Sequence, residues 1–469
     1  MESLDYLCED TIAAISTPIG KGAIGIVRIS GKDALTILRR LFRTKGGKEK
    51  LEFEDRKMYY GLVVDRFGEP IDEVLAVYMK APKTFTGEDV VELHVHGGIV
   101  VVRKVLREVL ACGARLAKPG EFTMRAFIHG KIDLVQAEAI NQLIEATSEL
   151  SAKVALEQLE GKLSKRIKEL QTRLLELKAV IEAAVDFPDE EVEIIESHRI
   201  KEHLRGLIDE LEKLIQTYRE GRYIREGIKV AIVGRPNVGK SSLLNAILQE
   251  ERAIVTEIPG TTRDVIEETV TFKGLPVRLL DTAGIRESAD VVERIGIEKS
   301  LKSLKEADVV LFVLDGSEGL TEEDLKIASL LNRKDNVIAV INKADLALKL
   351  TCEQLKETLG VGRCVIISAK EGKGIDELAS AMMELLLLEP ESLLGGDEVL
   401  ITSERHRELL ERAKTSLEKA LNSLNLGYES PEFLSMDIDD ALKALGEIVG
   451  EVTTEDMFDI IFSRFCIGK

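Results

Sequence analysis

The stretch GRPNVGKSS, residues 234–242, constrains the fold more than any other part of the chain. It follows the apolar run KVAIV and leads into LLNAIL. A glycine, four residues, then Gly239-Lys240-Ser241 is the spacing of a phosphate-binding loop between a buried strand and a helix. Glycines let successive backbone N–H groups curl around phosphate oxygens, and the positive end of the following helix dipole adds to the attraction. On this reading Lys240 reaches the β and γ phosphates, and the Ser241 hydroxyl binds magnesium.

The loop sits in the middle of 469 residues, so the flanks must be explained too. A chain of this length is expected to form several domains. Residues 1–118 carry short β-rich runs broken by Gly, Pro and Asp, and predict a mixed α/β domain. YYGLVVDRFGEPIDEVLAVYM reads as a hairpin turning at Phe67-Gly68. VVELHVH alternates, with Val91, Leu93 and Val95 on one face and Glu92, His94 and His96 on the other. Residues 119–223 read as helical. Apolar positions from Leu156 through Leu163, Leu170 and Leu177 to Ile181 predict one long amphipathic helix, broken at Pro188. A second stripe runs through Leu204, Leu207, Leu211 and Leu214. Residues 224–389 alternate strands and helices, as in a doubly wound parallel sheet. Residues 390–469 open with a linker-like EPESLLGGDE and return to helix. The fold expected is therefore α/β plus all-α: an N-terminal mixed α/β domain, then a helical domain interrupted by an inserted P-loop (Ras-like) nucleotide domain.

NKAD, residues 342–345, follows the apolar run NVIAVI. The Asp345 carboxylate can accept from N1–H and the 2-amino group of guanine, a donor pair that adenine lacks. Lys343 would lay its stem along the base. ISAK, 367–370, ends another strand where its backbone can meet guanine O6. DTAG, 281–284, offers Asp281 to hold magnesium through water and the Gly284 N–H to sense the γ phosphate. PGTTRD, 259–264, offers Thr262 as a second hydroxyl on magnesium. In this order the motifs specify a GTPase with two switch segments. The residue after DTAG is Ile285, where small signalling GTPases use a water-orienting glutamine, so catalysis needs another device. Asn237 reads either as a plain loop residue or as a ligand for a monovalent cation beside the phosphates. Glu293 reads either as a solvated helix charge or as the acid that orients water.

The five cysteines, Cys8, Cys112, Cys352, Cys364 and Cys466, are scattered without a CxxC pair, which predicts reduced thiols rather than a disulfide framework or a zinc site. The acidic N-terminus predicts no export signal, and no apolar run approaches the roughly 20 residues that span a bilayer, so a cytoplasmic chain is expected. A net charge of −19 argues against nucleic-acid binding over the whole surface.

The sequence resembles the tRNA uridine-5-carboxymethylaminomethyl modification GTPases, the MnmE/TrmE family. The likeness spans the chain, through GIVRISG, TFTGEDVVELHVHGG, KPGEFTMRAFIHGKIDLVQAEAI, AAVDFPDEE, the GTPase motifs and the terminal FCIGK. It implies a homodimer joined through a folate-binding-like N-terminal domain. It implies a flavin-containing partner (MnmG, also called GidA), in a heterotetramer or larger complex, and the chain's own acidic balance leaves most of the grip on tRNA to be expected from that partner. Together they would add a carboxymethylaminomethyl or aminomethyl group at C5 of the wobble uridine, with the one-carbon unit taken from reduced folate (5,10-methylene- or 5-formyl-tetrahydrofolate). Hydrolysis of GTP would need K+ as well as Mg2+. The potassium contacts carried over are Asn237, Thr256, Ile258 and Thr261, and the magnesium contacts Ser241 and Thr262. GTP would touch Asn237, Val238, Gly239, Lys240, Ser241 and Ser242 in the loop. In the switches it would touch Thr256, Glu257, Ile258, Pro259, Gly260, Thr261 and Thr262, then Asp281, Thr282, Ala283 and Gly284. Around the base lie Asn342, Lys343, Ala344, Asp345, Ser368, Ala369 and Lys370. The resemblance makes Glu293 the water-orienting acid, Arg263 and Arg286 switch residues near the chemistry, and Cys466 a candidate for the modification step. Reduced folate would meet Arg28, Glu92, Lys131 and Lys469. TSERH, 402–406, departs from the more basic stretch expected there.

Two other classes compete. A ribosome-assembly GTPase would carry a basic RNA-binding module such as a KH fold, and none is legible. A stand-alone folate transferase leaves the GTP motifs unexplained. His94 and His96 share a strand face but show no third ligand for a metal. The ending CIGK lacks the aliphatic residues of a prenylation box.

Overall fold

The computed structural model describes residues 10–186, 193–250, 268–280, 304–331, 335–388, 399–426, 431–452, 455–463 and 465–469. They fall into two compact units. One comprises Met1–Asn141, Gln158–Ala179 and Ile438–Lys469; the other comprises Gln142–Glu157 and Val180–Asp437.

The first unit is built on β1 (Ile12–Ile15), β2 (Ile24–Ser30), β3 (Phe42–Thr44), β4 (Met58–Val64), β5 (Pro70–Met79), β6 (Val90–His96) and β7 (Arg115–Leu116), in the sheet order β3-β4-β5-β6-β2-β1-β7. Neighbours are antiparallel except β1 and β7. The hairpin expected at Phe67-Gly68 is β4–β5, and Gly68 takes the left-handed φ of 89° that its turn requires. In β6 the alternation holds: Val91, Leu93 and Val95 are buried, and Glu92, His94 and His96 face the other way. Helices α1 (Ala34–Leu41) and α2 (Ile99–Ala111) close the apolar face with Ile37, Leu38, Val102, Val105 and Val109. The chain's last residues also belong here. Phe127 packs with Phe458, Phe462 and Phe465, and a Cβ on Gly120 would lie 2.7 Å from the Phe462 carbonyl. Beneath this lies a charged knot that the sequence does not reveal. Arg125, fully buried, pairs with Asp10, Glu88 and Glu121, and Arg115 also reaches Asp10 and Glu121.

The second unit holds a six-stranded sheet ordered β13-β12-β11-β8-β10-β9. Its strands are β8 (Ile228–Val233), β9 (Glu268–Phe272), β10 (Leu275–Leu280), β11 (Val309–Asp315), β12 (Val337–Asn342) and β13 (Arg363–Ile366). The sheet is parallel except at β9, which pairs antiparallel with β10 across the tight turn Lys273-Gly274. That antiparallel pair sits where a two-residue turn leaves no length for a crossover, at the edge of an otherwise parallel sheet. Every residue of β11 and β12 is buried, as near-continuous apolar runs require when both faces are covered. In the same unit the helix Glu193–Gln216 packs on Glu404–Asn425, and Leu204, Leu207 and Leu211 are buried as their spacing predicts. Lys414 pairs with Glu212, and the Ile401 N–H donates to Thr217 Oγ1 at 3.0 Å. The chain segments on either side of the six-stranded sheet thus meet, which is what an insertion needs.

Two expectations are corrected. The apolar stripe from Leu156 to Ile181 is not one helix but two, Glu149–Leu159 and Lys162–Asp186. Gly161 breaks it by adopting φ 87°, and its N–H turns back to the Gln158 carbonyl at 3.0 Å. The thiols are not all free: Cys352 and Cys364 are joined in a disulfide. Twelve residues apart in sequence, they lie at the start of one helix and in β13, where the folded chain brings their Cα atoms to 5.6 Å. Cys112 and Cys466 are free, and Cys8 lies outside the described residues.

Candidate functional site

Strand β8 is central, and the chain leaves its carboxyl end at the point where strand order reverses between β11 and β10. Ligand crevices of open α/β sheets form at such points. The loop 234–239 turns here into the helix Lys240–Glu250. Gly234 has no room for a side chain, since a Cβ would lie 2.4 Å from the Val313 carbonyl. A Cβ on Gly239, at φ 97°, would lie 2.2 Å from Asn342 Nδ2. Asn237 takes φ 65° and is exposed at the loop tip, whereas Val238 is fully buried and anchors the loop. Lys240 Nζ donates to the Gly234 and Arg235 carbonyls at 2.6 and 2.8 Å, so its ammonium is held against the backbone of the loop. Burial pushes that ammonium below the ordinary lysine range. Ser241 and Ser242 open the helix and are exposed.

The base-recognition segments are bonded to this loop and to each other. Asn342 donates to the Val238 carbonyl at 2.9 Å and accepts from the Ala369 N–H at 3.0 Å. Ser368 Oγ donates to Asp345 Oδ1 at 2.9 Å, and the Ala344 N–H donates to the Ile367 carbonyl at 3.0 Å. Asp345 is thereby aimed while its other oxygen keeps its acceptor capacity. Lys343, at φ 67°, reaches Asp315 Oδ2 at 2.5 Å, and Asp315 Oδ1 accepts from the Ser317 N–H and hydroxyl. Burial raises the Asp315 carboxyl, but Lys343 and Ser317 outweigh it and hold it below the ordinary range. Arg235 ties the loop to the segment after β11 through Glu318 and Asp324. Lys370 is exposed beside Ala369.

A second cluster forms in the first unit. Arg28 of β2 and Glu92 of β6 are register partners across the sheet, joined by Arg28 Nε to Glu92 Oε1 at 3.0 Å. His94 Nε2 lies 3.3 Å from Glu92 Oε2, and Arg28 also donates to the Gly468 carbonyl at 3.3 Å. The terminal turn is held close because Gly468, at φ 96°, leaves no space: a Cβ would lie 2.3 Å from the Ile15 carbonyl. Lys469 follows, half-buried. Burial and the neighbouring Arg28 charge lower its ammonium below the usual lysine range. Cys466 is exposed in the same tail. The structure therefore gathers Arg28, Glu92 and Lys469, while Lys131 is exposed against Gly87. His96 is bonded to Asp72 rather than to His94, and no cluster suited to a metal occurs among the described residues.

Two family models match this chain: the MnmE helical domain over residues 134–466 and the GTP-binding protein TrmE N-terminus over 11–131. The tRNA modification GTPase MnmE of Aquifex aeolicus is 47% identical over 98% of this chain and 100% of its own length. That of Geobacillus thermodenitrificans is 48% identical over 98% of this chain and 99% of its own. The chain belongs to the MnmE family of tRNA modification GTPases. Among solved structures, Era of Aquifex aeolicus is 32% identical over 40% of this chain and 65% of that one, with a TM-score of 0.27.

In this member of the MnmE family the loop 234–239, NKAD and ISAK each lie at the carboxyl end of a parallel strand, β8, β12 and β13. The chain is a GTP-binding hydrolase acting in tRNA modification. Thr256, Glu257, Ile258, Pro259, Gly260, Thr261, Thr262 and Arg263 lie outside the described residues, as do Asp281, Thr282, Ala283, Gly284, Arg286 and Glu293. Among the described residues no helix is long and apolar enough to cross a membrane. Three residues that the motif reading passed over, Asp315, Ser317 and Arg235, hold Lys343 and the loop in place. The Asp-Gly-Ser that ends β11 was the legible trace of the first two.

Proposed function

We propose that this chain hydrolyses GTP to drive modification of C5 of a tRNA wobble uridine, adding a carboxymethylaminomethyl or aminomethyl group with a reduced folate as one-carbon donor and a flavoprotein as partner. The observation that carries the reading is the joint presence of a hydrogen-bonded network joining Asn342, Asp345, Ser368 and Ala369 and, in the other unit, an Arg28–Glu92–Lys469 cluster held by the chain's own terminus. A ribosome-assembly switch has no use for the second cluster.

In the nucleotide site Asp345 would accept from guanine N1–H and the 2-amino group, and Lys343 would lie along the base. Lys240 would exchange its two carbonyl acceptors for phosphate oxygens, and the Gly234 and Gly239 cradle has the close backbone approach that phosphates need. The exposed Ser241 hydroxyl at the helix start would hold magnesium, with Thr262 as second ligand, and the ion would supply charge neutralisation at the β and γ phosphates. Asn237, exposed beside the loop, would hold potassium together with Thr256, Ile258 and Thr261, and the ion would supply positive charge next to the phosphates. Glu293 orients the attacking water, and Arg263 and Arg286 lie in the switches. In the first unit the pterin would meet Glu92, with Arg28, Lys131 and Lys469 offering cationic partners to the folate carboxylates. Cys466 stands within the same tail as a candidate for the transfer step. The domains proposed are 1–118 for folate binding and dimerisation, 224–389 for GTP, and 119–223 with 390–469 for the helical part. The setting proposed is cytoplasmic.

Calorimetry with 5-formyltetrahydrofolate tests the reading. The wild type should bind, and Glu92→Ala and Glu92→Gln should lose most of the heat while GTP binding is retained. A wild-type chain that binds GTP but gives no heat with the folate would remove the one-carbon role.

A further inference from the structure

Cys352 and Cys364 flank the guanine-recognition segments. Cys352 is the first residue of the helix Cys352–Leu359, whose N-terminus is closed by a capping box between Thr351 and Gln354. Cys364 lies in β13, paired with Ala339 of β12. β12 ends in Asn342 and leads into Asp345; β13 leads into Ser368 and Ala369. The bond therefore fastens the helix that follows one base-recognition loop to the strand that delivers the other. Ser368 and Ala369 are the residues that hold Asp345 and Asn342 by hydrogen bonds of 2.9 and 3.0 Å.

The bond is also reachable. Both cysteines are partly exposed and line a cavity of about 660 Å³, together with Ile366, Gly374, Glu377 and Glu384. That volume admits a small thiol, and the two lining carboxylates favour a neutral one. The sulfurs differ in chemistry. A thiolate at Cys352 would lie at a helix N-terminus, where the dipole stabilises negative charge, so Cys352 is the better leaving group.

We propose that Cys352–Cys364 is a thiol–disulfide exchange site whose state sets how firmly this chain holds guanine nucleotides. A small thiolate attacks Cys364 Sγ, the Cys352–Cys364 bond breaks, and Cys352 leaves as a thiolate and takes up a proton. A second thiolate attacks the small-thiol sulfur of the mixed disulfide and releases Cys364. Two thiols are oxidised to one disulfide as the protein disulfide takes up two electrons and two protons. Oxidised small disulfide drives the reverse. In the reduced state β13 is no longer tied to the helix, the Ser368 and Ala369 hydrogen bonds to Asp345 and Asn342 are made less of the time, and nucleotide leaves faster.

The proposal rests on the guanine site described above. The test uses the full chain equilibrated with reduced or oxidised dithiothreitol, with free thiols counted by alkylation and mass spectrometry of the peptides carrying Cys352 and Cys364. The off-rate of a fluorescent GDP is then followed by stopped flow. Reduction should raise the off-rate about three- to tenfold, a part of what closing a loop of this length contributes. Cys352→Ser and Cys364→Ser should each behave as the reduced wild type and ignore the redox couple. An off-rate equal in the two states, with the bond shown present in one and absent in the other, would overturn the proposal. So would a redox response that survives in the double variant, since it would belong to Cys8, Cys112 or Cys466. Failure to bind GDP in either state would instead strike at the guanine site itself.

Discussion

At the residue scale the nucleotide loop is defined by contacts that no motif spells out. Gly239 is required twice, by its φ of 97° and by the Asn342 amide 2.2 Å from where a Cβ would stand. Gly239→Ala should weaken GTP binding by about tenfold or more, equivalent to at least ~1.4 kcal/mol, read by calorimetry. An unchanged affinity would mean that the loop closes differently. Asp345→Asn should cost GTP affinity about a hundredfold, because two charge-assisted hydrogen bonds are lost, and should shift preference toward xanthosine triphosphate. The buried knot around Arg125 makes a prediction about acid. Burial alone would raise the Glu121 carboxyl, but Arg115, the Lys118 N–H and Arg125 outweigh it and hold it below the ordinary carboxylate value. Asp10 is lowered as well, chiefly by Arg115. A carboxylate with a depressed folded value contributes stability that is complete above its unfolded value and is lost as pH falls through the folded one. Stability should therefore decline below the ordinary carboxylate range, and Glu121→Gln should be destabilised at neutral pH and show a flatter acid limb in urea titrations. The residues proposed to meet GTP could be named from the sequence because they occupy fixed spacings. Asp315, Arg235 and Arg125 could not, because each acts through a partner 28 to 115 residues away, at Lys343, Asp324 or Asp10, that only the fold brings near.

At the element scale, periodicity read burial correctly and ends poorly. The alternation in β6 and the stripe of the helix Glu193–Gln216 followed from the apolar positions alone. The stripe around Gly161 misled because apolar spacing continues across a break that depends on one residue's φ. The disulfide escaped for a related reason. Spacing along the chain says nothing about a helix start folded against a strand. Thr217 shows how such junctions are held: its hydroxyl donates to the Leu214 carbonyl at 2.7 Å and accepts from the Ile401 N–H at 3.0 Å. Thr217→Val keeps the shape and leaves that buried N–H unpaired, which should destabilise the unit by about 1–3 kcal/mol in urea unfolding. No change would show that the segment after the nucleotide domain is not anchored there.

At the scale of the whole molecule, charge and partnership decide the account. Acidic residues outnumber basic ones 83 to 64, tryptophan is absent, and aromatics total 4%. Phosphate neutralisation and base stacking should therefore both be weak on this chain, and the proposed flavoprotein partner is expected to supply most of the grip on tRNA. Fluorescence anisotropy at physiological salt should show weak binding alone and strong tightening when the flavoprotein is added. Hydrolysis should also need potassium, with Asn237→Ala abolishing the difference between potassium and sodium while GTP still binds. The central claim is that GTP turnover here serves a chemical change in tRNA. It is tested most directly by nucleoside mass spectrometry of tRNA from cells lacking this chain, complemented with the wild type or with Asp345→Asn. Loss of carboxymethylaminomethyl- or aminomethyl-uridine, restored by the wild type and not by the variant, is the result expected. Wobble uridines that carry the modification in full without the chain would contradict it.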